Sequence, residues 1–149
     1  MMSDVILRRA EKTDMERIML LVCDVFDREQ GIPRDLCYLP EEHSPIWWCA
    51  EEEGAIIGAV ASYEEAGQTH FGRFVIEPEY RGRGIGTRLL RFAVEDVFAQ
   101  GVEQIHTESR KATVRILEKM GGRIAGEAFP FYKGDCTPVK LCREDYVRC

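Results

Sequence analysis

No apolar run in this sequence is long enough to cross a bilayer. The longest aliphatic stretch, Ile18 to Cys23, falls far short of the roughly 20 residues a membrane helix needs. There is no excess of positive charge either: 20 Lys and Arg face 26 Asp and Glu, for a net charge of −6. Nucleic acid is thereby excluded as a main partner, because phosphate binding demands a basic face. Metal-ligand spacing is also missing. The six cysteines (Cys23, Cys37, Cys49, Cys136, Cys142 and Cys149) form no CxxC pair, and His43, His70 and His106 are scattered, so no metal site is expected. The opening residues MMSDVILRRA carry no apolar signal core, which favours a cytoplasmic protein with reduced thiols. Cys23, Cys49 and Cys142 stand in apolar stretches and are expected in the core.

What is present suits one ordinary folded unit. With 149 residues, 45% apolar and 31% charged, the chain can bury a core without staples, and residues 1–149 read as a single domain. Val5 to Arg8 reads as a first strand. Thr13 or Asp14 then caps a helix, with Glu16 completing a capping box and Ile18, Leu21, Val22, Val25 and Phe26 forming its apolar face. Gly31-Ile32-Pro33 ends it, and Arg34 to Pro45 is a loop or short helix. Ile46 to Glu51 and Ala55 to Tyr63 are strands joined by a turn at Glu52-Glu53-Gly54. Of Trp47 and Trp48, one ring is expected in the core and one at a surface. Glu64 to Gln68 makes the next turn, and His70 to Ile76 is a strand that Pro78 stops. Ile85 to Gln100 is the clearest helix, closed by Gly101. Val102 to Thr107 is a strand, Lys111 to Met120 a helix, and Arg123 to Phe129 and Pro138 to Cys142 are two further strands. The order β-α-β-β-β-α-β-α-β-β is that of a mixed α/β sheet covered by helices on both faces.

The chemistry concentrates in Arg81-Gly82-Arg83-Gly84-Ile85-Gly86-Thr87, between a strand and the best helix. Alternating glycines leave the backbone bare, so successive N–H groups can face one object while the helix N-terminus adds positive potential. That is a cradle for phosphate or pyrophosphate. Arg88 and Arg91 precede Glu95 and Asp96 on the helix, an order that opposes the macrodipole. Either a bound polyanion or an Arg91–Glu95 pair would account for it. The dinucleotide pattern GxGxxG fails, since Thr87 or Leu89 stands where the third glycine belongs, and no GK[ST] exists for a nucleotide-triphosphate loop.

Arg81-Gly82-Arg83-Gly84-Ile85-Gly86 resembles [RQ]xxGx[GA], the coenzyme A pyrophosphate loop of the GNAT acetyltransferases. Phe74 to Tyr80 looks like the family's strand leading into that loop, and Glu118-Lys119-Met120-Gly121 closes a helix where the family has one. Val25 to Pro33 is similar to the VFxxEQG[VI]P segment of a bacterial subgroup, so the likeness spans nearly the whole chain. It implies the GNAT fold and transfer of an acetyl group from acetyl-CoA to a primary amine by direct attack. Backbone groups of Phe74, Val75 and Ile76 would hold the pantetheine arm, and amides of Gly82, Arg83, Gly84, Ile85, Gly86 and Thr87 the pyrophosphate. Arg81, Arg83 and Arg88 are the candidates for the remaining phosphate charge.

One position departs from the pattern. Where many members carry a tyrosine thought to protonate the departing thiolate, this chain has Leu117, and Tyr132 is the nearest replacement. Glu108 resembles the family's catalytic glutamate and is the expected base, with Glu29, Glu77 and His70 as weaker alternatives. The expected acceptor is a small-molecule or peptide amine, and the acid excess favours a cationic one. Neither nucleic acid nor membrane is expected as a partner, and a homodimer is left open. The alternative reading is an acyl-CoA-binding protein of the same fold with weak or lost catalysis.

Overall fold

The computed structural model describes residues 4–148. Cys149 lies outside them. The strands are β1 (Val5–Arg9), β2 (Ile46–Glu52), β3 (Ala55–Glu65), β4 (Gln68–Ile76), β5 (Gln104–Ser109), β6 (Arg123–Ile124), β7 (Phe129–Pro130) and β8 (Asp135–Cys142). The helices are α1 (Met15–Val25), α2 (Ile85–Ala99) and α3 (Lys111–Lys119). One mixed sheet runs in the order β1-β2-β3-β4-β5-β8-β6, with β7 also on β8. Every pairing is antiparallel except β4 with β5.

Two tight turns build the first half. Glu53 and Gly54 have φ of 50° and 81°, and Ala66 and Gly67 have 52° and 75°. Positive φ at both central positions matches the right-handed strand twist, so each is a two-residue hairpin turn. The second turn is shorter than the sequence suggested, and β3 accordingly extends to Glu65. α2 covers one sheet face, where Trp48, Phe71, Leu89, Leu90, Val94 and Val97 lie in one buried cluster. α1 covers the other, where Ile18, Val22, Trp47, Cys49 and Ala61 form a second. Both tryptophans are thus interior, at 7% and 0% exposure, on opposite faces. The expectation of one surface ring fails because successive strand residues each find a helix above them. The Trp48 indole N–H donates to Asp96 Oδ2 at 2.8 Å.

Other differences have local causes. Asp14 sits at the start of α1, but its carboxylate accepts from Arg8 at 2.8 and 3.0 Å, Arg17 at 3.0 Å and the Glu11 amide at 2.7 Å, so no box with Glu16 forms. A wide turn at Phe26–Gln30 prolongs α1 until Gly31 reverses the chain at φ 67°. β5 begins two residues later than expected, because Val102 packs against the core after the Gly101 stop. The expected Arg123–Phe129 strand is two short bridges. Pro138, opposite it, has no N–H to continue the ladder after Ala125 N–H donates to its carbonyl. Cys142 is only half-buried, whereas Cys37 and Cys136 are interior with Cys23 and Cys49. No helix among the described residues is long and apolar enough to cross a membrane.

Candidate active site

The glycine loop lies where the sequence placed it. After one turn at Pro78–Tyr80 the chain enters α2 through Gly82 at φ 83° and Gly84 at φ 76°. These values favour glycine, and open space stands where a Cβ would project from either residue. Gly86 is required for another reason. A Cβ there would come 3.0 Å from Phe74 Cζ and 3.4 Å from Ile76 Cγ1, so the start of α2 rests directly on β4. The first turn of α2 carries no acidic side chain, and its positive end stays uncompensated. Ile85 turns its side chain into the core, so only its backbone can serve a ligand, and Thr87 is half-buried.

The loop arginines divide into two groups. Arg81 donates from Nε to the Ile76 carbonyl at 3.0 Å and pairs with Glu29 through two bonds of 3.0 and 2.9 Å. Arg83 bonds Glu52 at 2.8 Å and lies over the Tyr80 ring. Both fasten the loop to the sheet and to the end of α1. The exposed Arg88 side chain makes no hydrogen bond or ion pair among the described residues. The charge order along α2 has its own explanation. Arg91 donates to Val147 O, Glu95 accepts from Tyr146, and Asp96 serves Trp48 and Arg9. Tertiary partners fix Arg91, Glu95 and Asp96, so no Arg91–Glu95 pair is needed, and of these four side chains Arg88 alone has no partner among the described residues.

Beside the loop the sheet opens. β4 and β5 pair only at Thr69–Ile105, His70–His106 and Phe71–Thr107. Immediately beyond, Arg73 and Phe74 together oppose Val60, a bulge with Arg73 at φ 55°. Bulges bend a strand, and here β4 turns away from β5. Its edge from Gly72 to Ile76 pairs with β3 alone. The Glu77 amide donates to Ile57 O, which directs the Ile76 carbonyl to the open side, where Arg81 meets it.

A cleft of about 240 Å³ fills this split and is lined from both sheet faces. Glu108 lines it, exposed and without hydrogen bond or ion pair among the described residues. Leu117 lines it at 3% exposure, packed with Val114 and Val139. Tyr132 is outside the lining, 50% exposed, its ring edge-on to Phe131. Of the weaker base candidates, Glu29 is bound to Arg81, Glu77 lies 4.0 Å from Arg28, and His70 stacks on Tyr63 away from the cleft. Cys136 is the one cysteine among the described residues in the lining, and burial pushes its thiol pKa up.

The sequence reading missed five side chains in this cleft. Thr107 Oγ1 and Ser109 Oγ are buried and 2.8 Å apart. Tyr63 lies across Gly72, with burial raising its phenol pKa. Arg73 and Arg110 both reach the cleft. Only the Gln30 of the quoted Val25–Pro33 segment hinted at Arg110, whose Nε it accepts at 2.7 Å.

Residues 6–121 match the model of the Acetyltransferase (GNAT) family. The chain belongs to that family. An acetyltransferase of Yersinia enterocolitica is 27% identical over 123 residues, covering 76% of this chain and 84% of its own. Two solved structures share the GNAT fold. ElaA of Escherichia coli superposes with a TM-score of 0.78 at 13% identity, covering 93% of this chain and 99% of that one. YncA of Salmonella typhimurium, solved with its cofactor acetyl-CoA, has a TM-score of 0.73 at 15% identity, covering 99% of this chain and 98% of that one. The GNAT assignment makes this chain an enzyme, an acetyltransferase.

Proposed function

We propose that this enzyme moves an acetyl group from acetyl-CoA to a primary amine within one ternary complex. The supporting observation is a juxtaposition: the bare glycine cradle at the head of α2 adjoins the unpaired edge of β4 and the cleft that the split creates. Amides of Gly82 to Thr87 would hold the pyrophosphate, with Arg88 as its free side-chain cation. Phe74 and Ile76 would hold the pantetheine arm as an added strand, while Val75 turns its backbone groups to β3. The Ile76 carbonyl already accepts from Arg81, so that residue contributes through its N–H. The bound coenzyme supplies the thioester.

Direct transfer needs a neutral amine, and Glu108 is the acid in the lining free to take its proton. Tyr132 stands too far out on the surface to support the proton-donor role given to it. In its place we assign the Thr107–Ser109 pair. Two hydroxyls hold two protons, and their mutual bond uses one. The second can hydrogen-bond the leaving sulfur, and a thiol with a pKa near about 8.5 leaves without full protonation.

Two measurements test the reading. Calorimetry should show coenzyme A binding to the wild type and its loss in Gly84→Asp, whose carboxylate enters the cradle. Thiol release should then be measured across a panel of amines. Unchanged affinity in a folded Gly84→Asp refutes the loop assignment. Coenzyme binding with no turnover on any amine instead leaves an acyl-CoA-binding protein, a role that Leu117 favours.

A further inference from the structure

Arg110 follows β5 directly and is bonded at one atom only. Nε donates to Gln30 Oε1 at 2.7 Å, and the guanidinium lies over the Phe131 ring, 5.5 Å from its centroid. Its two terminal nitrogens are buried with no hydrogen-bond partner. Buried donors without acceptors are rare in folded proteins, and a charged one more so. Gly134 leaves room for this placement, since a Cβ there would stand 3.3 Å from a terminal nitrogen. The side chain is oriented by Gln30 and by the ring, and its fork, the part that matches a carboxylate, is left unused.

A second guanidinium shares the cleft. Arg73 donates to the Cys37 carbonyl at 3.3 Å and the Leu36 carbonyl at 2.9 Å, and lies over Tyr63. All its partners are neutral, so its charge is uncompensated. The carboxylate in the lining is Glu108, and it pairs with neither arginine. Glu108 and Arg110 are two residues apart at the end of β5 and so project to the same side, roughly 7 Å apart at their Cα atoms. An amine acceptor beside Glu108 therefore has a cation within reach of its other end.

We infer that the acceptor carries a carboxylate as well as its amine, an amino-acid-like molecule, and that Arg110 binds this carboxylate with its free fork while Arg73 adds positive potential. The inference rests on the acetyl-transfer reading above and narrows it. It also reverses the bias drawn from net charge: the protein is acidic overall, but the cleft is locally basic.

The test uses matched pairs, a set of amino acids each beside its own carboxamide, so that only the carboxylate differs. At least one amino acid should be acetylated with a kcat/KM about a hundredfold above its amide, because the amide offers the fork one acceptor oxygen and no charge where the carboxylate offers two. Arg110→Gln should erase that preference through a raised KM for the amino acid, with the coenzyme affinity unchanged. Arg110→Lys, which keeps the charge but not the fork, should lose part of it and guards against misfolding of the first variant. Equal or better turnover of the amides overturns the inference while acetyl transfer stands. Should no amine turn over, calorimetry of the same amino acids on the coenzyme-saturated protein decides. Binding in the wild type that Arg110→Gln loses supports the carboxylate site, and no binding overturns it.

Discussion

At the residue scale, the cleft separates two carboxylate-dependent and sulfur-dependent mechanisms. Cys136 lies in its lining, but desolvation raises the thiol pKa and keeps it protonated near neutrality. Incubation with acetyl-CoA alone should leave no stoichiometric thioester on Cys136 by mass spectrometry. An adduct there that disappears on adding amine would require a two-step route. For Glu108→Gln the expected outcome is a fall in turnover of about 10² to 10⁴-fold at low pH, shrinking as pH rises and more of the amine is already neutral. Coenzyme affinity should hardly change. A variant that matches the wild type at every pH removes Glu108 as the base, and a rise in the amine KM alone makes it a binding group.

At the level of elements, the join between β4 and α2 is closely packed at Gly86. Gly86→Ala pushes a methyl group against Phe74 and Ile76. One of them must shift, so coenzyme affinity should drop about tenfold while the melting temperature falls by only a few degrees. Calorimetry and a thermal melt on the same sample would show it, and unchanged affinity would mean that the edge of β4 takes no part. This join was legible in the sequence because its causes are local: Gly82 and Gly84 need positive φ, and Gly86 needs close approach. The bridges at Arg123 and Phe129 were not legible, since the residue that interrupts them is Pro138 on another strand. The hydroxyls of Thr107 and Ser109 and the fork of Arg110 were equally hidden. Their burial is a property of the assembled sheet, and nothing in the spacing of single residues announces it.

For the whole molecule, pH sets limits to stability on both sides. The Arg8 guanidinium, then the Glu11 amide, hold the Asp14 carboxyl well below its ordinary 3.8. That contribution is present above pH 3.8 and is lost as pH falls toward the folded value. Burial lowers the pKa of His106 from 6.5, so protonation begins to oppose folding below that pH. On the alkaline side burial raises the Cys49 thiol from 9.0 to about 11, a contribution present below pH 9.0 and lost by pH 11. Urea denaturation across pH should therefore show a plateau between about 6.5 and 9.0 with a decline on each side. Asp14→Asn should flatten the part of the acid limb below pH 3.8 and cost about 2 kcal/mol on the plateau, the scale of a hydrogen bond to a charged group. A limb unchanged below pH 3.8 in that variant would assign that part to other carboxylates.

The junction of β4 with β5 has a consequence for how the chain folds. β2, β3 and β4 are neighbours in sequence and meet through two-residue turns, so their closure costs little entropy. Thr69 can find Ile105 only once α2 has been laid across the sheet, and the reward is three residue pairs. Three pairs are a poorer return than the five that join β1 to β2 over a similar separation, so the parallel seam closes late. The line along which we propose that the substrates enter is thus one that the sheet closes late.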